Sequence, residues 1–298
     1  MENNHRTSVI CFGETLWDVF PDHKKPGGAP FNVAVHLKQF GFQPKVVSKI
    51  GTDPLGMDLL DFIKSKGLAV DFIQQDMDHP TGVVKVEVGE SGDAKYDIVF
   101  PSAWDFIEYP AELGDEDYIL IFGSLASRNS TSRESLLKIL ERADLALFDV
   151  NFRAPHYTRE LVEELLHKSD IVKLNEDEII IIGEWYGMKN ESLQNICKHL
   201  VSQYALDHII VTLGSKGAMV YRDGHVYHHN GFEVDVIDTV GSGDSFLASY
   251  LAHYLKGKSG DESLEMACAT GAYVATQNGA VPTYNLSTIQ RLISANKK

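Results

Sequence analysis

The sequence predicts an α/β fold with a mostly parallel central sheet and a small β-rich flap. From about residue 117 onward, short apolar runs alternate with amphipathic stretches, as in successive strand–helix units. Tyr118 to Phe122 is the clearest buried strand, and Arg133 to Ala143 carries leucines at helical spacing before the apolar run Leu145 to Val150. Earlier in the chain, Val83 to Val88 and Ala94 to Phe100 alternate in polarity around a glycine-containing turn, which predicts a hairpin.

The alternation of strands and helices continues toward the C-terminus. We expect helices over Glu160 to His167 and Leu193 to Tyr204, and strands over Ile171 to Leu174 and His208 to Thr212. The hairpin is either a flap over a pocket, where closure would exclude water, or an edge hairpin of the main sheet. No internal repeat, low-complexity tract or Pro/Ser-rich linker divides the sequence, so we expect a single domain.

The composition is that of a globular protein. With 298 residues, 44% hydrophobic and 23% charged, the chain is long enough to bury a sizeable core. The formal net charge of -15 repels polyanions, so nucleic acid and acidic membrane surfaces are poor candidates for partners. Three widely spaced cysteines, a polar start and the absence of an apolar run of about 18 residues predict a cytoplasmic protein with reduced thiols and no membrane span.

A glycine-bracketed turn in front of a helix is the segment most typical of a catalytic site. It runs D-T-V-G-S-G-D-S-F from Asp238 to Phe246, after an extended segment Phe232 to Ile237 and before a helix predicted over Phe246 to Lys256. Such a turn leaves backbone N–H groups unpaired at the positive end of the helix dipole, which makes a cradle for anions. Gly241 and Gly243 would let the backbone approach phosphate oxygens closely.

Asp244 follows these glycines at the mouth of the predicted cradle. A carboxylate beside a transferring phosphoryl group can accept the proton of an attacking hydroxyl, so Asp244 is the candidate general base. The alternative is that Asp244 only caps the helix and that the glycines only form a tight turn.

A second motif lies near the N-terminus, where Gly27 and Gly28 precede Asn32. Paired glycines allow a tight backbone turn, and the amide of Asn32 can both donate and accept hydrogen bonds. Asn32 is also expected to be the N-cap of a helix over Val33 to Phe40, and the two roles are compatible.

These motifs resemble those of the ribokinase-like (PfkB) sugar kinases. Asp238 to Asp244 is similar to the family's DTxGAGD signature, with Ser242 in place of the usual alanine. Gly27 to Ala34 is similar to its GG…N motif, in the GGAPxNVA form that resembles fructokinases. The resemblance covers nearly the whole chain. It implies a ribokinase-like three-layer α/β/α domain over residues 1–298, with lid segments roughly within 12–33 and 80–105.

The resemblance implies transfer of the γ-phosphate of MgATP to the 6-hydroxyl of fructose. Asp244 would be the base, and the backbone amides of Gly241, Ser242 and Gly243 would stabilise the phosphoryl charge. Arg153 follows a predicted strand end and would hold sugar oxygens or phosphate, or else form a surface salt bridge. The implied sugar-binding residues are Asp18, Gly27, Gly28, Asn32, Arg153 and Asp244.

The resemblance also implies a nucleotide site and a metal site. Asn175 and Glu178, in an NxxE motif, would organise magnesium partly through water; a solvated acidic helix start is the alternative. The implied nucleotide-binding residues are Asn175, Thr212, Gly214, Gly217, Gly241, Gly243 and, near the adenine, Asn278. A potassium ion would be held, largely through backbone carbonyls, by Asp238, Val240, Val274, Gly279 and Thr283.

Several alternatives stay open from the sequence. The acceptor could be another sugar or a nucleoside, such as ribose, 2-keto-3-deoxygluconate or adenosine, or the chain could bind sugar as a regulator without catalysis. Phe100 and Trp104 either contact the sugar or belong to the core. The lid hairpin could pair with a second copy to form a homodimer. The sequence has no P-loop and no GxGxxG after a strand, which disfavours a P-loop ATPase or a dinucleotide dehydrogenase.

Overall fold

The computed structural model of the protein describes residues 8–88, 94–114 and 116–296. The strands in these ranges are β1 Ser8–Phe12, β2 Leu16–Val19, β3 Lys24–Gly27, β4 Lys45–Gly51, β5 Ile73–Asp76, β6 Gly82–Val88, β7 Ala94–Ile98, β8 Tyr118–Gly123, β9 Ala143–Asp149, β10 Ile171–Asn175, β11 His208–Thr212, β12 Ala218–Arg222 and β13 His225–His229. The helices are α1 Ala29–Gln39, α2 Pro54–Ser65, α3 Ser130–Leu140, α4 Arg159–Leu166, α5 Glu176–Trp185, α6 Leu193–Tyr204, α7 Ser242–Leu255, α8 Gly260–Ala275 and α9 Leu286–Asn296. None of these helices is long and apolar enough to cross a bilayer.

The central sheet has nine strands in the order β13-β12-β11-β10-β9-β8-β1-β4-β5. The strands from β11 to β5 are parallel, and β12 and β13 add an antiparallel edge. Alternate residues of a strand face opposite sides. In β8, Leu120 and Phe122 pack with α3 to α6, whereas Ile119 and Ile121 pack with α1, α2, α7 and α8. Helices therefore cover both faces, and the predicted three-layer α/β/α architecture is confirmed.

The predicted hairpin belongs to a separate, smaller sheet. Its strand order is β3-β2-β6-β7; β2 and β6 are parallel, and the two outer pairs are antiparallel. Leu16, Val84 and Val86 form its small apolar core, with Phe20 and Ile98 packed against it. The alternative of an edge hairpin in the main sheet is therefore wrong. The turn over residues 89–93 lies outside the described residues.

Helix caps explain where the boundaries of two helices differ from the prediction. α3 begins at Ser130, one turn earlier than expected, because the side chain of Asn129 accepts a hydrogen bond from the backbone N–H of Thr131. α1 also begins a turn early, at Ala29, because Pro30 has a backbone angle already suited to a first helical turn.

Candidate active site

The carboxyl ends of the parallel strands bring predicted site residues to one edge of the sheet. The register of β9 and β10 places Asp149 opposite Lys173, and that of β10 and β11 places Asn175 opposite Thr212. Arg153 follows the end of β9 at the same edge. Since ligands of open α/β sheets bind outside the carboxyl ends of the strands, this edge is the candidate active site.

The start of α7 has the geometry of the predicted anion cradle. Gly241 is the N-cap at φ 79°, and a Cβ at this position would lie 2.5 Å from Cα of Ala280, so both conformation and space require glycine. The helix begins at Ser242, earlier than expected, after a segment, 232–237, that belongs to no strand. The first amides of this 14-residue helix have no acceptor within it and lie at the positive end of its dipole. The amide of Ser242 donates instead to the backbone oxygen of Thr239 at 3.2 Å, so this predicted cradle donor is already occupied.

Asp244 lies in the first turn of α7 and contacts a side chain from α1. Because Gly241 occupies the N-cap position, the interpretation of Asp244 as a cap is wrong. Its Oδ2 accepts a hydrogen bond of 2.8 Å from Nδ2 of Asn32. Asn32 lies within α1, whose N-cap is Gly28, so the capping interpretation of Asn32 is wrong as well. The candidate base and a candidate sugar ligand are therefore in direct contact.

The two glycines before α1 bring the start of this helix against the loop after β1. Gly28 has φ 113°, and a Cβ there would lie 2.2 Å from the backbone oxygen of Glu14. Oε1 of Glu14 in turn accepts a hydrogen bond from the backbone N–H of Ala29 at 3.2 Å. Asp18 lies against Gly27, with its Oδ2 2.7 Å from the position of a Cβ. The predicted sugar residues on β2 and β3 thus share one wall of the site with Glu14.

Two buried oxygens in this wall lack a hydrogen-bond donor among the described residues. Oε2 of Glu14 and Oδ1 of Asn32 form no hydrogen bond within the described residues, although their side chains belong to residues that are only 3% and 4% exposed. A buried acceptor without a donor costs free energy, so native proteins rarely keep one without a purpose. Hydroxyl groups supply the missing donors, and the wall therefore fits a polyhydroxylated ligand.

Three carboxyl groups of the site have raised pKa values because they are buried. Burial, assisted by the charge of Asp149, raises the pKa of Asp244 to about 6. Burial also raises the pKa of Glu14 to about 7 and that of Asp18 to about 6. The positive charge of Arg153 opposes all three increases. A base with a pKa near 6 is ionised at neutral pH yet retains useful proton affinity.

Arg153 is exposed at this edge and is not tied into a salt bridge. Its Nη1 donates to the backbone oxygen of Phe152 at 2.9 Å, and no carboxylate among the described residues pairs with it. The predicted surface salt bridge is therefore not observed, and the guanidinium keeps most of its donors for a ligand.

Lys173 and Asp149 were not among the predicted site residues. Nζ of Lys173 donates to both carboxylate oxygens of Asp149, at 2.9 and 3.1 Å, and the two residues are 7% and 3% exposed. The same Nζ lies 3.4 Å from the position of a Cβ on Gly243 in the cradle. Burial lowers the pKa of Lys173, but the charges of Asp149, Glu178 and Asp244 outweigh it and raise this pKa. A buried cation therefore lies beneath the cradle.

Asn175 and Glu178 form a capping box at the start of α5. Oδ1 of Asn175 accepts from the Glu178 amide at 2.9 Å, and Oε2 of Glu178 accepts from the Asn175 amide at 2.8 Å. Oε1 of Glu178 accepts from the Phe152 amide at 2.8 Å. At 3% exposure, Glu178 is not part of a solvated acidic helix start, so that alternative is wrong for this residue. Oxygens that already accept backbone amides fit a magnesium ion held through water better than one bound directly.

Three of the predicted nucleotide residues, Thr212, Gly214 and Gly217, lie at or just after the end of β11 at the same edge. Oγ1 of Thr212 donates to the backbone oxygen of Leu174 at 3.3 Å, and the short 3-10 turn Gly214–Lys216 follows directly. Gly217 ends this turn. Oδ1 of Asn278 accepts a hydrogen bond of 3.2 Å from a lysine of the lid, Lys25.

The predicted potassium ligands are only partly brought together. The carboxylate of Asp238 accepts from the amides of Val240 and Gly279, at 3.0 and 3.1 Å, and forms an ion pair with Lys25 at 3.0 Å. Val274 is buried in α8, and Thr283 is exposed and forms no hydrogen bond with the other four among the described residues. Within the described residues, no group of three or more His, Cys, Asp or Glu side chains forms a metal site.

The two aromatic residues left open by the sequence have different environments. Trp104 is completely buried and belongs to the main core, whereas Phe100 is 56% exposed. The core interpretation is therefore confirmed for Trp104 and does not hold for Phe100.

The architecture and the site agree with a comparison against known protein families. The sequence pattern of the pfkB family carbohydrate kinases matches residues 4–285. The chain belongs to the pfkB family. It is therefore a carbohydrate kinase, a phosphotransferase that acts on a sugar hydroxyl.

Individual relatives of this pfkB kinase place it near the fructokinases. It is 28% identical to the fructokinase of Escherichia coli, over 92% of this chain and 94% of that one. It is also 28% identical to the ATP-dependent 6-phosphofructokinase of Thermoanaerobacterium thermosaccharolyticum, over 94% and 91%. The crystal structure of fructokinase with bound ATP from Xylella fastidiosa superposes with a TM-score of 0.88 at 22% identity, covering 98% of this chain and 99% of that one. The predicted ribokinase-like fold with its lid is thus confirmed.

Substituting Glu14 by Gln should stabilise the kinase in a pH-dependent way. The folded state raises the pKa of Glu14 from 4.5 to about 7, so folding favours its protonated form. This contribution to stability is complete below about pH 4.5 and is lost as the pH rises through 7. We therefore expect the free energy of unfolding of Glu14→Gln, measured with urea, to exceed that of the wild type by more at pH 8 than at pH 5. The exposed Glu134→Gln serves as control, and an equal difference at both pH values would contradict the prediction.

Proposed function

We propose that this kinase transfers the γ-phosphate of ATP to the 6-hydroxyl of fructose. The observation that carries the proposal is the 2.8 Å contact between Asp244 and Asn32 at the mouth of the α7 cradle. A sugar hydroxyl placed against Asp244 would lose its proton to this carboxylate, while the amides of Gly241 and Gly243 take up the charge of the phosphoryl group. The similarity to fructokinases favours fructose as the acceptor.

The sugar would lie between the lid sheet and the start of α1. The unpaired oxygens of Glu14 and Asn32 would accept hydrogen bonds from its hydroxyls, and Asp18 would accept another. When the phosphate groups of ATP enter the site, the positive charge of Arg153 would reduce their repulsion from these carboxylates. The proposed sugar-binding residues are Asp18, Gly27, Gly28, Asn32, Arg153 and Asp244.

ATP would lie along the edge formed by β10 and β11, with its terminal phosphate at the cradle. Asn175, Thr212, Gly214, Gly217 and Asn278 would surround the nucleotide. A magnesium ion, held partly through water by Asn175 and Glu178, would draw negative charge from the phosphates. A potassium ion is proposed with Asp238, Val240, Val274, Gly279 and Thr283 because the resemblance to the family implies it; hydrogen bonds from the amides of Val240 and Gly279 bring these two residues to Asp238.

A panel of acceptors tests the substrate assignment. The purified kinase is assayed for ADP release with fructose, ribose, 2-keto-3-deoxygluconate and adenosine, and the position of phosphate in the product is determined by NMR. We expect kcat/KM for fructose to exceed the others by about tenfold or more, because pocket hydrogen bonds left unpaired penalise the wrong sugar. A higher kcat/KM for another acceptor would replace fructose. Fructose binding without ADP release would instead favour a non-catalytic sugar-binding regulator.

Other expectations from the sequence stay predictions. These are the single-domain organisation over residues 1–298, the cytoplasmic location and a homodimer paired through the lid sheet.

A further inference from the structure

A cavity lies outside the group of carboxylates around Asp244. It has a volume of about 330 Å³ and is bordered by the beginnings of α3 and α4. Its lining includes Phe100, Ser127, Arg128, Arg133, His156 and Tyr157. A short turn connects it to the active site, because the backbone N–H of His156 donates to the backbone oxygen of Arg153 at 2.7 Å.

The beginnings of two helices give this cavity a positive potential. Asn129 caps α3 and Thr158, itself a lining residue, caps α4, so the positive ends of both helix dipoles lie at its border. Arg133, in the first turn of α3, forms no hydrogen bond or ion pair through its side chain with any described residue. In a chain with a net charge of -15, an unneutralised cation between two helix N-termini is a local exception.

Arg128 adds a rigid donor to the same wall. Its Nε and Nη2 donate to the carboxylate of Asp105 at 2.7 and 2.8 Å, and its guanidinium lies 4.0 Å from the ring centre of Trp104 and 4.9 Å from that of Phe100. Nη1 lies 3.5 Å from Nε2 of His156. The pair with Asp105 is neutral overall, and Nη2 also donates to the backbone oxygen of Val99 at 2.9 Å, so the N–H groups that remain for a ligand are those of Nη1.

Ser127 provides an independent indication of a ligand. It is 1% exposed, it lines the cavity, and its Oγ forms no hydrogen bond with the described residues. Phe100, 56% exposed, and Tyr157, stacked on Phe152 at 3.9 Å, provide aromatic surface beside it. A buried hydroxyl without a partner, next to two arginines and two aromatic rings, fits a ligand that carries both an oxyanion and a sugar-sized body.

The carboxylates that oppose this charge are few. Asp105 is neutralised by Arg128, and Asp97 on β7 lies close enough for its charge to act on His156. Burial and the charge of Arg128 lower the pKa of His156, so its imidazole is neutral near pH 7 and adds no positive charge to the cavity. Glu160, exposed in the first turn of α4, is a further carboxylate at this border. Arg133 is the lining residue whose positive charge is not paired within the described residues.

We infer that this cavity binds the oxyanion of a phosphorylated or carboxylated sugar. The anion could belong to the acceptor itself, reaching past the Arg153–His156 turn, or to a separate small molecule. Binding does not require the fructose assignment to be correct, since it is measured without ATP and with probes other than fructose.

Calorimetric titration without nucleotide tests the inference with two probes, inorganic phosphate and 2-keto-3-deoxygluconate. We expect Arg133→Gln to weaken the binding of at least one probe about tenfold, because a charge-assisted hydrogen bond is lost. Ser127→Ala should weaken the same binding about threefold. Neither change removes a contact within the described residues, so both variants should keep the wild-type Tm. Lys138→Gln is the matched control, because it removes the same charge from the exposed side of α3 and should leave binding unchanged.

The two probes distinguish the two sources of the anion. If the carboxylate of the acceptor occupies the cavity, Arg133→Gln raises KM for 2-keto-3-deoxygluconate while KM for fructose stays constant. If a separate ion occupies it, inorganic phosphate binds to the wild type, and both Arg133→Gln and Ser127→Ala weaken this binding. Equal binding of both probes to the wild type, Arg133→Gln and Ser127→Ala would overturn the inference.

Discussion

Asp244→Asn is expected to lower kcat by about 10²- to 10⁴-fold, while KM for the sugar changes by less than about threefold. General-base catalysis contributes rate enhancement of this size, and asparagine cannot accept the proton of the attacking hydroxyl. Asparagine still offers an oxygen to Nδ2 of Asn32, so the 2.8 Å contact and the packing of α1 on α7 should persist. Steady-state kinetics of the purified variant separate the effect on turnover from the effect on binding.

The stability of the same variant distinguishes a base from a structural carboxylate. Because the folded state raises the pKa of Asp244 to about 6, its charged form is disfavoured by the fold at neutral pH. Asp244→Asn should therefore leave Tm unchanged or raise it, although activity is lost. Asp261→Asn, which changes an exposed aspartate in the first turn of α8, should affect neither quantity. Near-normal turnover of Asp244→Asn would exclude Asp244 as the base.

The elements that could be predicted from the sequence are those whose burial or capping is visible in the local residue pattern. Tyr118 to Phe122 is recognisable because a parallel strand covered on both faces is apolar throughout. The helix Leu193–Tyr204 has the predicted bounds, since Ser192 caps it and its apolar residues recur at helical spacing. The start of α1 was missed because a glycine cap followed by Pro30 is a weaker local signal than Asn32.

The candidate site was predictable as motifs but not as contacts. Asp244 and Asn32 are 212 residues apart in the sequence, and only the packing of α1 against α7 brings them together. Glu14 was not predicted as a site residue, because the sequence does not show whether an acidic residue between a strand and a turn is buried. Lys173 did offer a signal, namely a lysine within an apolar strand, but its partner Asp149 follows from the register of β9 and β10, which the sequence does not reveal.

Lys173→Met is expected to lower the free energy of unfolding by about 3 to 5 kcal/mol, because it leaves the buried carboxylate of Asp149 without its cation. Urea denaturation measures this loss. The double variant Lys173→Met/Asp149→Leu removes both charges and should recover most of the stability, since a buried ion pair contributes little beyond two apolar side chains. Lys216→Met, which breaks an exposed pair with Glu176, is the control and should cost less than about 1 kcal/mol.

The recovered stability of the double variant separates the structural role of Lys173 from its charge. Because its Nζ lies beneath Gly243, loss of this cation should lower kcat by about 10²-fold even in the stable double variant, as when one donor to a developing negative charge is removed. In Lys173→Met alone, the positive charge that lowers the pKa of Asp244 is also lost. The acid limb of kcat as a function of pH should therefore move above pH 6. A double variant with wild-type kcat would show that the pair only supports the fold. If Lys173→Met had a low kcat but an unshifted acid limb in its pH profile, the charge of Lys173 would act on the phosphates without changing the pKa of Asp244.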